Sequence, residues 1–159
     1  MNGFLFNLLL AFAWAVMTGD YSLSSLTTGA VLGFVALWLS QPLTGIDRLY
    51  FKRLYRIIYL GLFFLWELLL SSVEVAWDVI RPVPRNNPGL IDIPLTVKND
   101  FEILLLTNLI SLTPGTLSVD VSEDRKILTV HAMFADDPDA LCKDIKDGFE
   151  RLIMGVFET

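Results

Sequence analysis

Residues 54–88 read LYRIIYLGLFFLWELLLSSVEVAWDVIRPVPRNNP, and this stretch decides the fold. It opens as an apolar helix, takes on acids midway, and stops at a proline cluster. The residues from Ile57 to Trp66 carry no charge. Glu67, Ser71, Glu74 and Asp78 then fall at i, i+4, i+7 and i+11, which places them on one helical face. The opposite face keeps Leu69, Val73, Ala76 and Ile80. Arg81-Pro82-Val83-Pro84 ends the helix, because prolines cannot continue it. The spacing predicts a long helix over about 54–81 and a semi-rigid, extended linker over 82–88.

Upstream of this stretch the chain is almost uncharged. Residues 1–46 contain one charged side chain, Asp20, within a total of 159 residues. Residues 47–98 hold seven basic and five acidic groups, and residues 99–159 hold twelve acidic and five basic groups. Such asymmetry reads as a membrane part followed by a small water-facing part. The segment Phe4–Thr18 and the segment from about Leu23 to Leu39, ending before Gln41-Pro42, predict a helical hairpin over about 4–40. Gly19-Asp20-Tyr21-Ser22 supplies the turn. Each arm covers roughly 25 Å, against a hydrocarbon core of about 30 Å. Gly29 and Gly33 let two helices approach closely, and packing within the chain is the expected use. The first segment lacks the basic start of a secretory signal and leads straight into a second apolar segment, so it is expected to be retained. The membrane domain is thus read as 1–81.

Around Pro42, Gly45, Arg48, Lys52, Arg53 and Arg56, basic and aromatic residues mark a headgroup region. If Arg56 marks that interface, Glu67 lies roughly 16 Å further along the helix, near the middle of the bilayer. A carboxylate there must face protein or water. An in-membrane polar contact to a partner subunit is the expected role for Glu67, with a proton or cation path as the competing one. Glu74 and Asp78 are grouped with it but lie nearer the helix end.

The part from 89 to 159 is expected to be a small α+β domain in the order strand–helix–strand–strand–helix. Gly89–Val97 is the first strand. Asp100–Leu112 is a helix capped by Asn99. Leu117–Val121 and Ile127–Phe134 form a hairpin, and a single last helix follows Asp136-Asp137-Pro138-Asp139. A core this small gains from packing on something else.

Several function classes are excluded. The net charge of −6 has the wrong sign for nucleic acid. One cysteine, Cys142, and one histidine, His131, leave no disulfide framework and no multi-histidine metal site. No phosphate loop or nucleophile elbow occurs, so no catalytic residue, metal or cofactor is expected. His131 reads as a packed or edge strand residue, and Asp136, Asp137 and Asp139 as helix-start acids. The unusual element is Leu106–Thr116, inside a charge-free run from Ile103 to Val119. Asn108, Thr113, Pro114, Gly115 and Thr116 are read together as a buried helix end and as a docking surface for the membrane or a partner.

The block Asn108-Leu-Ile-Ser-Leu-Thr-Pro-Gly-Thr116, with Leu117-Ser-Val-Asp-Val121 and Leu128-Thr-Val-His131, resembles the E-subunit family of the Mrp-type (Mnh, Pha) multisubunit sodium/proton antiporters. Length, apolar N-terminal half and proline-rich hinge agree with it. The resemblance implies an accessory, non-catalytic subunit of an inner-membrane complex exchanging sodium, or another monovalent cation, for protons. Its partners would be the other subunits and the lipid bilayer. The large subunits would carry the ion paths, and the C-terminal domain would be cytoplasmic.

Topology sets two readings against each other. Three full spans with a cytoplasmic C-terminus put Arg48, Lys52 and Arg53 outside, against the positive-inside rule, whereas Arg81, Arg85 and Lys98 favour the cytoplasm. The competing functional readings are a membrane-tethered enzyme, using His131 with Asp120 or the Thr113 hydroxyl, and a stand-alone sensor signalling through the third helix.

Overall fold

A tight turn at Gly19 joins the first two helices. Gly19 has φ +67°, and the Asp20 carboxylate accepts from the Ser22 amide at 2.9 Å. The computed structural model describes residues 3–44, 48–82 and 86–158, and the side chains of these residues outside 41–48. Gly45 and the Val83-Pro84-Arg85 part of the expected linker lie outside the described residues, as do the side chains of Pro42 and Arg48.

Helices α1 (Gly3–Thr18) and α2 (Leu23–Thr44) pack along small residues. Ala11 and Ala15 are buried. A Cβ on Gly29 would stand 2.8 Å from Trp14 Cβ, and one on Gly33 would stand 2.9 Å from Leu10 Cβ. The Gly-x-x-x-Gly spacing therefore serves close approach of α1 and α2. Helix α2 runs on through Gln41-Pro42 to Thr44, past its expected end. A proline removes only one amide donor, and an apolar helix absorbs that loss.

Helix α3 spans Arg48–Ile80 and so begins six residues before the expected Leu54. The basic–aromatic stretch is its first turns. Its start joins the hairpin unit, where Asn7 Nδ2 donates to Tyr50 Oη at 2.9 Å and Phe34 meets Phe51 at 5.1 Å between ring centroids. Among the described residues, two helices are long and apolar enough to cross a membrane, over Leu23–Ser40 and Leu49–Ile80, while α1 is shorter.

The chain divides into two compact units between Tyr55 and Arg56, inside α3. The second unit contains α3 from Arg56 onward, β1 (Gly89–Pro94), α4 (Asp100–Leu112), β2 (Thr116–Val121), β3 (Ile127–Ala132), α5 (Pro138–Ile145), a π-helical turn Lys146–Glu150, and α6 (Arg151–Phe157). The strands form one antiparallel sheet in the order β1-β3-β2, with a bulge in β2 between Ser118 and Asp120. Register pairs Ile91 with Val130 and Ile93 with Leu128, which sends these four side chains into the core. There they meet Ile103, Leu106 and Ile110, one face of α4. Asn99 caps α4 by accepting from the Phe101 amide at 3.0 Å, and Asp137 caps α5 in the same way through Ala140.

The expected single last helix runs unbroken from Pro138 to Phe157, with a π turn at Lys146–Glu150 inside it. Phe149 and Glu150, adjacent in this turn, are both buried.

Candidate functional site

The site begins where α4 ends. Thr113 precedes a proline, which disfavours the helical region, and it takes φ −84°, ψ 120°. The last carbonyls of α4 would be orphaned there. The Thr113 hydroxyl donates to Leu109 O at 2.8 Å, and the Thr116 hydroxyl donates to Ile110 O at 2.7 Å. Gly115 sits at φ +89°, a left-handed conformation that L side chains rarely adopt. Its carbonyl accepts from the Met133 amide at 2.7 Å, tying the turn to the end of β3.

Helix α3 forms the facing wall. Leu60 is buried in the domain core, and Phe63 meets Phe149 edge-on at 5.3 Å between centroids. Arg56 donates to Gly155 O and pairs with Glu158 at 3.1 Å. Between the walls lies a cleft of about 730 Å³ lined by Glu67, Ser71 and Glu74 of α3 and by Thr113–Thr116. Asp136, Asp137, Asp144 and Asp147 also line it, over an apolar base that includes Phe63 and Phe149, and no Lys or Arg lies among its described lining residues.

Two features that stand apart in the sequence, the acidic stripe and the Thr-Pro-Gly-Thr turn, therefore share one cleft. Asp78 is buried in an adjoining recess of about 250 Å³, with Glu74, Trp77, Arg81, Phe134 and Asp136. Arg81 stands over the Trp77 ring, 5.8 Å from its centroid. Asn108 is not part of the cleft; it is exposed on α4 and donates to Leu104 O at 2.6 Å. Among the described residues, no group of three or more His, Cys, Asp or Glu side chains is arranged to hold a metal ion. His131 is exposed on β3, with Leu90 and Leu117 opposite it on the flanking strands.

Sequence reasoning missed Glu150. Its carboxylate is almost fully buried; it accepts from the amides of Thr96 and Val97, the latter at 3.0 Å, and pairs with Lys146 at 3.4 Å. The signal was present: an acid between Phe149 and Leu152-Ile153, with a lysine four residues before it.

The family profile described as "Na+/H+ ion antiporter subunit" matches residues 7–156. The chain belongs to this family. The Na(+)/H(+) antiporter E subunit of Bacillus subtilis is 36% identical over 152 residues, covering 96% of each chain. The E subunit of Alkalihalophilus pseudofirmus is 36% identical with the same coverage, and the E1 subunit of Staphylococcus haemolyticus is 36% identical over 96% of this chain and 95% of that one. Among solved structures, a chain of the Mrp complex from Dietzia sp. DQ12-45-1b is 30% identical, with a TM-score of 0.50, over 65% of this chain and 97% of that one. A chain of the membrane-bound sulfane sulfur reductase, an archaeal respiratory membrane complex, is 24% identical and shares the fold over 98% of both chains, with a TM-score of 0.62. The antiporter family match thus extends across both compact units of this chain.

Proposed function

We propose that this member of the antiporter E-subunit family is an accessory, non-catalytic subunit of a multisubunit monovalent cation (Na+)/H+ antiporter of the cell membrane. It supports assembly and antiport without carrying a reaction of its own, and its C-terminal domain lies in the cytoplasm. The observation that carries the reading is the near-complete match to antiporter E subunits at 36% identity. The local chemistry agrees with it. The hydroxyls of Thr113 and Thr116 are spent on closing α4, so they serve structure and not nucleophilic attack.

Deleting the chain from a host that carries the whole complex tests the proposal. Na+/H+ antiport in everted vesicles should fall, and the complex should shrink on a native gel. Unchanged activity and size would refute it. Sidedness has its own test in Cys142: a membrane-impermeant maleimide should leave it unlabelled in intact cells, and labelling would place the domain outside.

The cleft, at about 730 Å³, is large enough for a small molecule and favours the sensor reading more than the enzyme reading. A sensor would purify from native membranes alone, or as a homodimer, with a bound small molecule. The accessory subunit would co-purify with large many-helix chains.

A further inference from the structure

Helix α3 carries two opposite faces over its length in the second unit. Arg56, Leu60, Phe63, Glu67, Val75 and Asp78 turn towards the α+β domain or the clefts against it. Every charged side chain between Arg56 and Ile80 stands on that side or its edge. The other face holds Ile58, Leu62, Leu65, Leu69, Val73 and Ile80, all 52–76% exposed, without a charge.

The domain follows α3 from Arg56 to Asp78, twenty-two residues or roughly 33 Å. That equals the whole hydrocarbon thickness of about 30 Å. If α3 crossed the bilayer, the domain would lie inside it, with Asp136, Asp137, Asp139, Asp144 and Asp147 exposed to lipid. Charged side chains at that depth are strongly disfavoured unless they face protein or water. The aromatic residues make an independent argument. Tyr59, Trp66 and Trp77 share one flank of the helix by their spacing, and all three are exposed. Tyr and Trp favour the headgroup level, so a spanning helix carries them in two belts at its ends. Here Tyr59 and Trp77 lie near the two ends, and Trp66 sits between them on the same flank, away from either belt.

From these observations we infer that α3, from Arg56 to Ile80, lies in the plane of the membrane interface. Its apolar stripe is sunk among lipid acyl chains, its aromatic flank sits at the headgroups, and the domain rides on its polar face. The occupant of the stripe is phospholipid, because α3 continues directly from an apolar hairpin and bears no charge on that side. The inference rests on the membrane placement under the proposed function, but not on antiport. With α3 in the plane, Arg56 and Arg81 stay on the domain's side, and the positive-inside rule assigns that side to the cytoplasm.

Nitroxide depth measurements on the assembled complex test this. In a Cys142→Ser background, Ile58→Cys, Leu65→Cys, Leu69→Cys, Val73→Cys and Ile80→Cys are labelled singly. The complexes are reconstituted in phosphatidylcholine–phosphatidylglycerol vesicles. Relative accessibility to oxygen and to a soluble nickel chelate should place all five labels about 5–10 Å below the headgroups, with no trend along the helix. Depth that changes by about 1.5 Å per residue, to the bilayer centre near Leu69 and out again, would overturn the inference. Shielding from both reagents would also overturn it, since a protein partner would then cover the stripe. Should labelled variants fail to assemble, a photoreactive residue in place of Leu69 decides the matter: crosslinks to lipid support the inference, and crosslinks to another subunit refute it.

Discussion

The ring of Phe63 on α3 meets the ring of Phe149 in the π turn edge-on, 5.3 Å apart and inclined at 78°. This pair fastens a helix of membrane composition to the core of the α+β domain. The Phe63 ring also lies against Gly148, where an added Cβ would stand 3.0 Å from Phe63 Cζ.

Phe149→Ala should therefore destabilise the domain by about 3–5 kcal/mol, the usual range for a buried phenylalanine. Gly148→Ala forces the Phe63 ring aside and should cost about 1–3 kcal/mol. Thermal unfolding of the purified chain in detergent checks both. Equal melting temperatures for wild type and Phe149→Ala would mean that the pair does not hold the helix.

Glu150 should be the most sensitive charged residue of the domain. Glu150→Ala leaves the amides of Thr96 and Val97 without their acceptor and removes the ion pair with Lys146, which keeps Pro94 O and the Thr96 hydroxyl. Breaking a buried pair in this way costs about 3–5 kcal/mol. Asp139→Ala, an exposed acid in the first turn of α5, should stay within about 0.5–1 kcal/mol. Comparing the two unfolding midpoints separates a structural carboxylate from a surface one.

In the hairpin, Gly29→Val should disrupt the packing of α1 on α2, since even a Cβ there would sit 2.9 Å from Ala11 O. A loss of about 1–3 kcal/mol is expected for such overpacking. Gly61→Ala on α3 meets nothing within 4 Å, and it should be neutral or slightly stabilising through helix propensity. Yield and thermal stability of the two variants in mild detergent make the comparison.

For Glu67 the prediction follows from its place in a cleft lined by other carboxylates. Glu67→Gln keeps the shape and removes one negative charge from a crowded set. Assembly and antiport should stay within roughly twofold of wild type, the scale of a change under about 0.5 kcal/mol. A large fall in antiport by an intact complex would instead assign the charge a part in proton movement.

Much of this architecture was legible in the chain itself. Gly19-Asp20-Tyr21-Ser22 encodes the hairpin turn through left-handed backbone and an aspartate acceptor. Asn99 and Asp137 announce two helix starts, and alternation in Leu117–Val121 announces a half-buried strand. Thr113–Thr116, Glu67 and Glu74, read from the sequence as separate features, line one cleft, whereas Asn108 stands apart on α4. The helix boundaries at Arg48 and Thr44 were missed because basic and proline residues read locally as breaks. An apolar helix with most of its amides paired tolerates both.

Local pattern by itself determined which residues share a face, because helical and strand periods follow from backbone geometry alone. That is why the acidic stripe from Glu67 to Asp78 and the uncharged stripe opposite it could be read from spacing. Only the tertiary structure decided what covers each face. Spacing alone puts Glu67 at mid-bilayer, whereas the fold sets it in a cleft against its own chain's Thr113–Thr116 turn, forty-six residues further on. The same holds for the π turn, in which Phe149 is buried and the Glu150 carboxylate accepts from two backbone amides far away in the chain. Periodicity names a face; long-range packing and the pairing of buried polar groups choose its neighbour.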